Sequence, residues 1–230
     1  IGRLVGSEMC IRDSYIHMVM NETIEGVACR SLDNLPEKVI VSDCSSNILS
    51  EPLDVKKFGL IYAGAQKNIG PAGLAIVIIR KDLIQKRDDL PALMSYQTYA
   101  DSESMYNTPP TFAWYLSGKV FSWLKRNGGL ESIEEINLRK AKKLYDYIDN
   151  SDFYYNDVSI ESRSIMNVPF LLNDDSLNDS FLKDSEKEGL LNLAGHRSVG
   201  GMRASIYNAV PEEAIDALVS FMDVFANKYG

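Results

Sequence analysis

The sequence predicts an α/β fold, with a mostly parallel sheet in its first half and a mixture of helices and strands in its second half. Three apolar runs, residues 15–20, 38–42 and 60–63, have the composition of strands buried in a sheet. Polar or small residues follow each run, and open α/β sheets bind their ligands at the carboxyl ends of strands. A fourth apolar run, residues 72–79, ends in a polar turn and is predicted as a further strand of the same sheet.

Two helices are predicted after these runs. Apolar residues recur at helical spacing in residues 112–125 and again in residues 130–149, and Asn127, Gly128 and Gly129 separate the two segments. We expect the aromatic side chains of the first helix to be core residues. The basic side chains of the second helix are expected to face solvent: Arg139, Lys140, Lys142 and Lys143.

The rest of the chain contains one irregular segment and one α+β region. Residues 90–107 mix tyrosines with small polar residues and are predicted as an ordered excursion, neither helix nor strand. Two strands and two helices are predicted further on: residues 166–172 and 202–208, and residues 179–189 and 212–228. We therefore divide the chain into part of a large domain, residues 15–124, and a small carboxyl-terminal domain, residues 125–230.

Composition argues against several classes of function. With 45% apolar residues among 230, the chain can bury the core of one large or two modest domains. A formal charge of −8 disfavours nonspecific binding to nucleic acids or to anionic membranes. No apolar run approaches the roughly 18 residues of a membrane span, and no secretory signal is recognisable, so we expect a cytoplasmic protein.

Cysteine and histidine are both scarce. The three cysteines, Cys10, Cys29 and Cys44, show no paired spacing, and the chain has two histidines, so we expect neither a disulfide framework nor a bound metal. Cys44 follows Asp43 directly. It is interpreted either as a reactive thiol or as a small buried side chain that fills space, which is common for cysteine.

Lys67 is the residue that most strongly suggests chemistry. It lies in a turn of glycines, alanines and other small residues, 64–73, directly after the apolar run 60–63. Small residues let a flat ligand approach the backbone closely, and a strand end is the usual ligand site of such sheets. The alternative is a solvated loop lysine, which is the common state of this residue.

Asp43 ends the preceding run, 38–42, and the residues up to Lys67 leave room for one crossover, residues 47–58. A carboxylate and a lysine therefore end adjacent strands. The pair suits pyridoxal phosphate, because the amine forms a Schiff base with the aldehyde and the carboxylate keeps the pyridine nitrogen protonated. Many α/β proteins also end strands with aspartate, so the pattern suggests this cofactor without requiring it.

Four blocks of sequence together resemble the phosphoserine aminotransferases, a group within the class V aminotransferases. They are SSNILS at 45–50, YAGAQKNIGPAG at 62–73, NTPPTF at 107–112, and GHR at 195–197 with GGMRAS at 200–205. The resemblance extends from about residue 15 to residue 230. It implies the type I fold of pyridoxal-phosphate-dependent transferases, with an incomplete large-domain sheet, and a homodimer with shared active sites.

The resemblance also implies roles for residues around the cofactor. Lys67 and Asp43 become the catalytic pair, and Thr23 donates a hydrogen bond to the ring oxygen of the cofactor; its alternative role is a helix N-cap. Gln66 resembles a cofactor contact, with a plain turn residue as the alternative. Asn107 and Thr108 resemble residues that reach the cofactor phosphate of the partner subunit, and would otherwise be a capping segment.

Three further residues resemble the substrate site. Arg203 is expected to bind the substrate α-carboxylate, while His196 and Arg197 serve its phosphate or side-chain carboxylate, because the arginine fork pairs well with both groups. The alternative for the arginines is structural ion pairing. The implied reaction is reversible transamination between L-glutamate and 3-phosphohydroxypyruvate, giving O-phospho-L-serine and 2-oxoglutarate in serine biosynthesis, with a related step of pyridoxine biosynthesis left open.

Two alternatives to this function remain. One is a different small-substrate aminotransferase of class V. The other is an inactive chain, because family members carry a further amino-terminal third with a phosphate-binding cup, a stacking aromatic and a substrate arginine that have no counterpart here. Residues 1–14 do not resemble the family, and we expect either a translated artefact or a genuine divergent leader.

Overall fold

The computed structural model describes residues 15–33 and 35–230, and the prediction for residues 1–14 lies outside them. The first part of the chain forms one sheet of four strands in sequence order. The strands are β1 (Tyr15–Val19), β2 (Val39–Asp43), β3 (Leu60–Gly64) and β4 (Ala75–Ile79). The four predicted strands are confirmed. β1, β2 and β3 run parallel, whereas β4 is antiparallel to β3 because a tight turn, and not a crossover, joins them.

The register of the sheet brings the carboxyl ends of three strands together. Val19 of β1 pairs with Asp43 of β2, and Asp43 pairs with Tyr62 of β3. Beyond the strands, the Cys44 amide donates to the Tyr62 carbonyl at 2.9 Å, and the Met20 amide donates to the Asp43 carbonyl at 3.1 Å. The ligand-bearing edge predicted for this sheet is therefore held rigidly by backbone hydrogen bonds.

The second part of the chain contains most of the helical residues and a small antiparallel sheet. The helices are α1 (Tyr96–Asp101), α2 (Thr111–Arg126), α3 (Gly129–Asp149), α4 (Asn178–Lys187) and α5 (Glu212–Tyr229). The second sheet has the order β5 (Tyr154–Tyr155), β6 (Asn167–Leu172), β7 (Met202–Ser205). Single 3₁₀ turns occupy Val55–Lys57, Lys81–Leu83, Ala92–Met94, Ile160–Ser162 and Asp175–Leu177. Among the described residues, no helix combines the length and apolar character of a membrane span.

Two clusters of buried apolar side chains stabilise the fold. One lies beneath the first sheet and extends from Met20 to Ile69 along the chain. The other packs α3, α4 and α5 against the second sheet, and its centre is a set of edge-to-face aromatic contacts around Phe181. Two separate clusters agree with a division into two domains. The boundary between residues 124 and 125 stays a prediction.

Three predictions about the second part of the chain are wrong. The excursion 90–107 contains a short helix, α1. The aromatic side chains of α2 are not core residues, because Phe112 is 70% exposed and Tyr115 is 58% exposed. Lys140 of α3 is fully buried, although Arg139, Lys142 and Lys143 do face outward.

The exposure of the α2 aromatics has a geometric cause. This helix buries its small residues Ala113 and Ser117, together with Leu124. A Cβ added at Gly70 would lie 2.8 Å from the Ser117 hydroxyl, so the helix approaches the backbone of the lysine turn too closely for large side chains. Helical spacing predicted that the aromatic face of α2 is buried, but the helix buries the neighbouring face, which carries the small residues.

Helix α3 offers a matched test of the second core. Leu144 is fully buried, whereas Leu138 of the same helix is 46% exposed. We expect Leu144→Ala to lower the free energy of unfolding by about 2–5 kcal/mol, since it removes apolar contacts and leaves a cavity. Leu138→Ala should change the free energy of unfolding by less than about 0.5 kcal/mol. Urea denaturation of both variants measures the difference, and equal losses would show that α3 does not dock as described.

Candidate functional site

Lys67 lies in the turn that joins β3 to β4. The turn is closed at its ends, because the Ala65 amide donates to the Leu74 carbonyl at 2.9 Å and the Gly70 amide donates to the Ala65 carbonyl at 2.7 Å. At its start, a Cβ on Gly64 would lie 2.4 Å from Oε1 of Gln66, so the glycine lets the Gln66 side chain fold back over the strand end. Lys67 itself is half-buried, and it is not the solvated loop lysine of the alternative interpretation.

Asp43 is fixed at the end of the neighbouring strand. Its Oδ1 accepts a hydrogen bond from the Ser45 amide at 2.7 Å, and the Ser45 hydroxyl accepts one from the Gly64 amide at 3.0 Å. The two strand ends are therefore joined through Ser45. Burial raises the pKa of the adjacent Cys44 thiol, which disfavours a thiolate and supports the space-filling interpretation of that cysteine.

Tyr62 of β3 pairs with Asp43 of β2, and its hydroxyl reaches across β2 to His17 of β1. Burial raises the pKa of Tyr62, and the charge of the Asp43 carboxylate and a hydrogen bond to it raise this pKa further. The Tyr62 hydroxyl also lies 2.9 Å from Nε2 of His17, and the two rings are stacked with centroids 6.0 Å apart. The raised pKa disfavours the phenolate form of Tyr62, so the neighbour of Asp43 is a neutral hydroxyl.

The surroundings of Lys67 lower its pKa from the ordinary value of a lysine. Burial lowers the pKa of the Lys67 ammonium; the Asp43 carboxylate opposes this change and the Arg203 guanidinium adds to it. The Lys67 Nζ atom lies 6.0 Å from the centroid of the Tyr207 ring. A lysine with a lowered pKa provides more neutral amine at a given pH, and the neutral amine is the nucleophile.

Arg203 connects the second sheet to the end of β1. Its Nη1 atom donates to the Thr23 carbonyl at 2.9 Å, and its Nε atom is buried without a hydrogen-bond partner among the described residues. A buried charged donor without a partner is costly, so an anionic ligand is a natural partner for it. Thr23 lies in a hydrogen-bonded turn and not in a helix, and its alternative role as an N-cap is therefore wrong.

The other predicted site residues are not joined to this centre by any hydrogen bond or ion pair within the described ranges. Apart from its approach to Gly64, the Gln66 side chain is exposed. Asn107 and Thr108 are exposed just before α2, and Nδ2 of Asn107 donates to the Thr108 carbonyl at 3.3 Å. Their roles stay predictions.

His196 and Arg197 lie in the loop before β7. Nδ1 of His196 accepts a hydrogen bond from the Ser198 amide at 3.2 Å and lies 2.6 Å from the Ser198 hydroxyl, which fixes the imidazole in this loop. Arg197 is exposed and forms no ion pair with the described residues. The structural ion-pair alternative therefore has no support for Arg197, and the substrate role of both residues stays a prediction.

Sequence reasoning missed Tyr207 and the network that holds it. The Tyr207 hydroxyl accepts a hydrogen bond from Nδ2 of the fully buried Asn167 at 3.1 Å, and Asn167 Oδ1 accepts one from Nδ2 of Asn21 at 2.9 Å. Asn21 follows β1 and Tyr207 follows β7. The position of Asn21 after β1 was an available signal, whereas Tyr207 gave none, because the sequence predicted a strand that continues to residue 208 and the structure ends β7 at Ser205.

The residues present fit pyridoxal phosphate. An amine with a lowered pKa and a carboxylate end adjacent strands, and an unpaired buried guanidinium nitrogen faces the same region. Gly73 closes the lysine turn with φ +100° and has no atom within 4 Å of the position of a Cβ, so the backbone there is open to a ligand. This set supplies one covalent attachment point, one partner for a ring nitrogen and one partner for an anionic group.

Comparisons with known proteins agree with this arrangement. A family model described as Aminotransferase class-V matches residues 9–218. The phosphoserine aminotransferase of Acinetobacter baylyi is 60% identical over 220 residues, which are 94% of this chain and 60% of that relative. The chain therefore spans about 60% of the length of the curated relatives it matches.

Solved structures show the same similarity. The phosphoserine aminotransferase from Bacillus circulans subsp. alkalophilus superposes with a TM-score of 0.91 at 47% identity, covering 94% of this chain and 60% of that one. A PLP-bound phosphoserine aminotransferase from Trichomonas vaginalis superposes with a TM-score of 0.85 at 41% identity, covering 91% of this chain and 60% of that one. The predictions of a type I transferase fold and of pyridoxal phosphate as the cofactor are confirmed.

Proposed function

Because this chain belongs to the class V aminotransferase family, we propose that it carries the lysine site of a phosphoserine aminotransferase. The reaction is the reversible transfer of an amino group from L-glutamate to 3-phosphohydroxypyruvate, giving O-phospho-L-serine and 2-oxoglutarate. The observation that carries this proposal is the placement of Asp43 at the end of β2 and of Lys67 in the turn after β3, the adjacent parallel strand. The activity is proposed for the full-length protein that contains this chain.

Each residue of the centre has a role in holding the cofactor. Lys67 would bind pyridoxal phosphate covalently and Asp43 would pair with its ring nitrogen, while Thr23 and Gln66 would contact it from the segments that follow β1 and β3. When bound, the cofactor supplies an electron sink for the bond that breaks at the substrate α-carbon. The side chain of Asp43 is suited to the ring nitrogen because Ser45 fixes one of its oxygens in place.

Lys67 also moves a proton. When it is not attached to the cofactor, the Lys67 amine would take a proton from the substrate α-carbon and hold it at Nζ for return to the bound group. Burial supports this role because it lowers the pKa of Lys67 and leaves the amine neutral at a lower pH than that of an exposed lysine.

The substrate is held by positive charge concentrated in an acidic chain. We assign the substrate α-carboxylate to Arg203, whose unpaired Nε atom supports an anionic partner. His196 and Arg197 are assigned to the phosphate or side-chain carboxylate. In a chain with a formal charge of −8, such a local site is needed to attract an anion at all.

A homodimer with shared active sites is the proposed assembly. Asn107 and Thr108 would then reach the cofactor phosphate in the partner subunit. The exposed aromatic side chains Phe112 and Tyr115 of the adjoining helix α2 support a partner on this face, since large apolar patches are seldom left to solvent. The proposed compartment is the cytoplasm, and a role in pyridoxine biosynthesis would use the same site on a longer phosphorylated oxo acid.

The test combines covalent trapping with substrate choice. The full-length protein is incubated with pyridoxal phosphate, reduced with borohydride and digested, and we expect mass spectrometry to locate the cofactor on Lys67. An unreduced sample is then treated with O-phospho-L-serine, L-serine or L-alanine and followed by absorbance. We expect only the phosphorylated amino acid, which alone can use both anion sites, to discharge the cofactor quickly.

The outcomes separate the proposed function from its rivals. Rapid discharge by L-alanine or L-serine, with none by O-phospho-L-serine, would indicate another class V aminotransferase. Attachment of the cofactor to a lysine other than Lys67 would contradict the site. A full-length protein that binds no cofactor would contradict the proposed function, whereas cofactor binding by the full-length protein and not by this chain alone would support the inactive-chain alternative.

A further inference from the structure

Lys140 is a fully buried cation whose hydrogen bonds all go to the backbone of one turn. Its Nζ atom donates to the carbonyls of Ile206 and Tyr207, both at 3.0 Å, and to the carbonyl of Val210 at 3.1 Å. An ammonium group has three donors, so all of them are used. The side chain comes from α3, far from the turn in sequence, and closes the segment 206–210 from beneath.

The turn that Lys140 holds contacts the lysine turn at two points. The ring of Tyr207 lies 6.0 Å from Nζ of Lys67. The amide of Asn208 donates to Oδ1 of Asn68 at 3.0 Å, and Asn68 is the residue next to Lys67. The segment 206–210 therefore contacts both the side chain of Lys67 and the backbone segment that carries it.

A second buried side chain of α3 supports the same junction. Asn137, one helical turn before Lys140, donates from Nδ2 to Oδ1 of Asn208 at 2.9 Å and to the carbonyl of Ser50 at 2.9 Å. Asn208 in turn donates to the Leu49 carbonyl at 2.8 Å. Two side chains of α3 thus hold the 206–210 turn against the loop after β2, the amide of Asn137 and the ammonium group of Lys140.

We propose that Lys140 is a positioning residue for Lys67 and that it acts through the 206–210 turn. This inference rests on the proposed role of Lys67 as the site of covalent attachment. Without the ammonium group, three carbonyls of one turn lose their donors at once, and buried carbonyls that lose their partners move toward water. The turn would then withdraw Tyr207 and Asn208 from the lysine turn, and water would reach the Lys67 amine.

The charges around the two lysines agree with this geometry. Burial lowers the pKa of Lys140 to about 8, and the Glu212 carboxylate at the start of α5 opposes the change. The Glu212 carboxylate forms ion pairs with Arg139 at 3.4 Å and with Lys143 at 3.8 Å. The direct hydrogen-bond partners of Lys140 are neutral carbonyls. The ionisable groups that act on Lys67 are Asp43 and Arg203, and neither of them contacts Lys140.

The experiment measures the pKa of Lys67 by competitive acetylation at different pH values, in full-length protein stripped of cofactor. Exposed Lys86 serves as the internal reference. In Lys140→Met we expect the pKa of Lys67 to rise by about one unit toward its ordinary value, because the amine becomes hydrated. At a pH near 8, labelling of Lys67 should then fall about tenfold. Lys142→Met, an exposed site on the same helix, should leave it unchanged.

The design separates positioning from support of the fold. If Lys140→Met does not fold, Lys140→Gln keeps two N–H donors without the charge and should give a smaller change in the same direction. A folded variant with a lower melting temperature and an unchanged pKa of Lys67 would overturn the proposal and leave Lys140 a structural residue. The labelling needs no cofactor, so a wild-type protein that fails to bind pyridoxal phosphate would count against the proposed function alone.

Discussion

Replacement of Lys67 by alanine is expected to lower kcat for the transamination of O-phospho-L-serine by at least about a thousandfold. The variant loses both the covalent attachment point and the base that moves the proton at the substrate α-carbon. Because Lys67 is half-buried in a turn that the Ala65 and Gly70 amides close without it, the fold should be retained. Steady-state kinetics, with circular dichroism as a check on folding, measures the effect.

Lys86→Ala is the matched control for this prediction. Lys86 is an exposed lysine in the loop after β4, and its removal should leave kcat and KM within about twofold of the wild type. Activity of Lys67→Ala within tenfold of the wild type would contradict the assignment of Lys67. A small external amine added to Lys67→Ala would separate the two roles of Lys67 if it restored cofactor binding but did not restore turnover.

Replacement of Asp43 by asparagine is expected to lower kcat by at least about a hundredfold. The change removes the carboxylate that we propose as the partner of the cofactor ring nitrogen, while an amide oxygen remains to accept the hydrogen bond of the Ser45 amide. The loss should therefore be one of chemistry and not of fold. It is measured as kcat in steady state and as the rate of a single half-reaction with O-phospho-L-serine.

A second readout follows from the contact with Tyr62. Because the Asp43 carboxylate contributes to the raised pKa of this phenol, the pKa of Tyr62 should fall in Asp43→Asn. Asp88→Asn, a change at an exposed aspartate, should affect neither kcat nor the titration of Tyr62. An Asp43→Asn variant with wild-type kcat would show that Asp43 is not the partner of the ring nitrogen.

The strands and the positions of Asp43 and Lys67 were predictable from sequence because both depend on local pattern. Short apolar runs bounded by small and polar residues define β1, β2 and β3, and the residues directly after such runs must lie at the carboxyl edge of the sheet. Asp43 and Lys67 were found by this rule. The antiparallel direction of β4 was not predicted, because an apolar run does not show in which direction its strand runs.

The two errors in helical burial share one origin. In α2, the spacing of Phe112 and Tyr115 indicated an apolar face, yet the helix packs through Ala113 and Ser117 because the lysine turn comes close at Gly70. In α3, Lys140 belonged to a run of basic residues, yet three carbonyls of the 206–210 turn provide partners that make its burial possible. In both helices the deciding contact is distant in sequence.

The sequence by itself determined the family and the cofactor, and it placed Asp43 and Lys67, the two residues proposed for the chemistry, at the carboxyl edge of the sheet, because that chemistry needs particular side chains after strands. The tertiary structure alone decided which groups surround them. Tyr207 reaches Lys67, Arg203 reaches Thr23 and Lys140 reaches the 206–210 turn only after the second sheet and α3 have packed against the first sheet. The physical reason is that burial and hydrogen-bond partners are properties of assembled elements, which no single stretch of sequence contains.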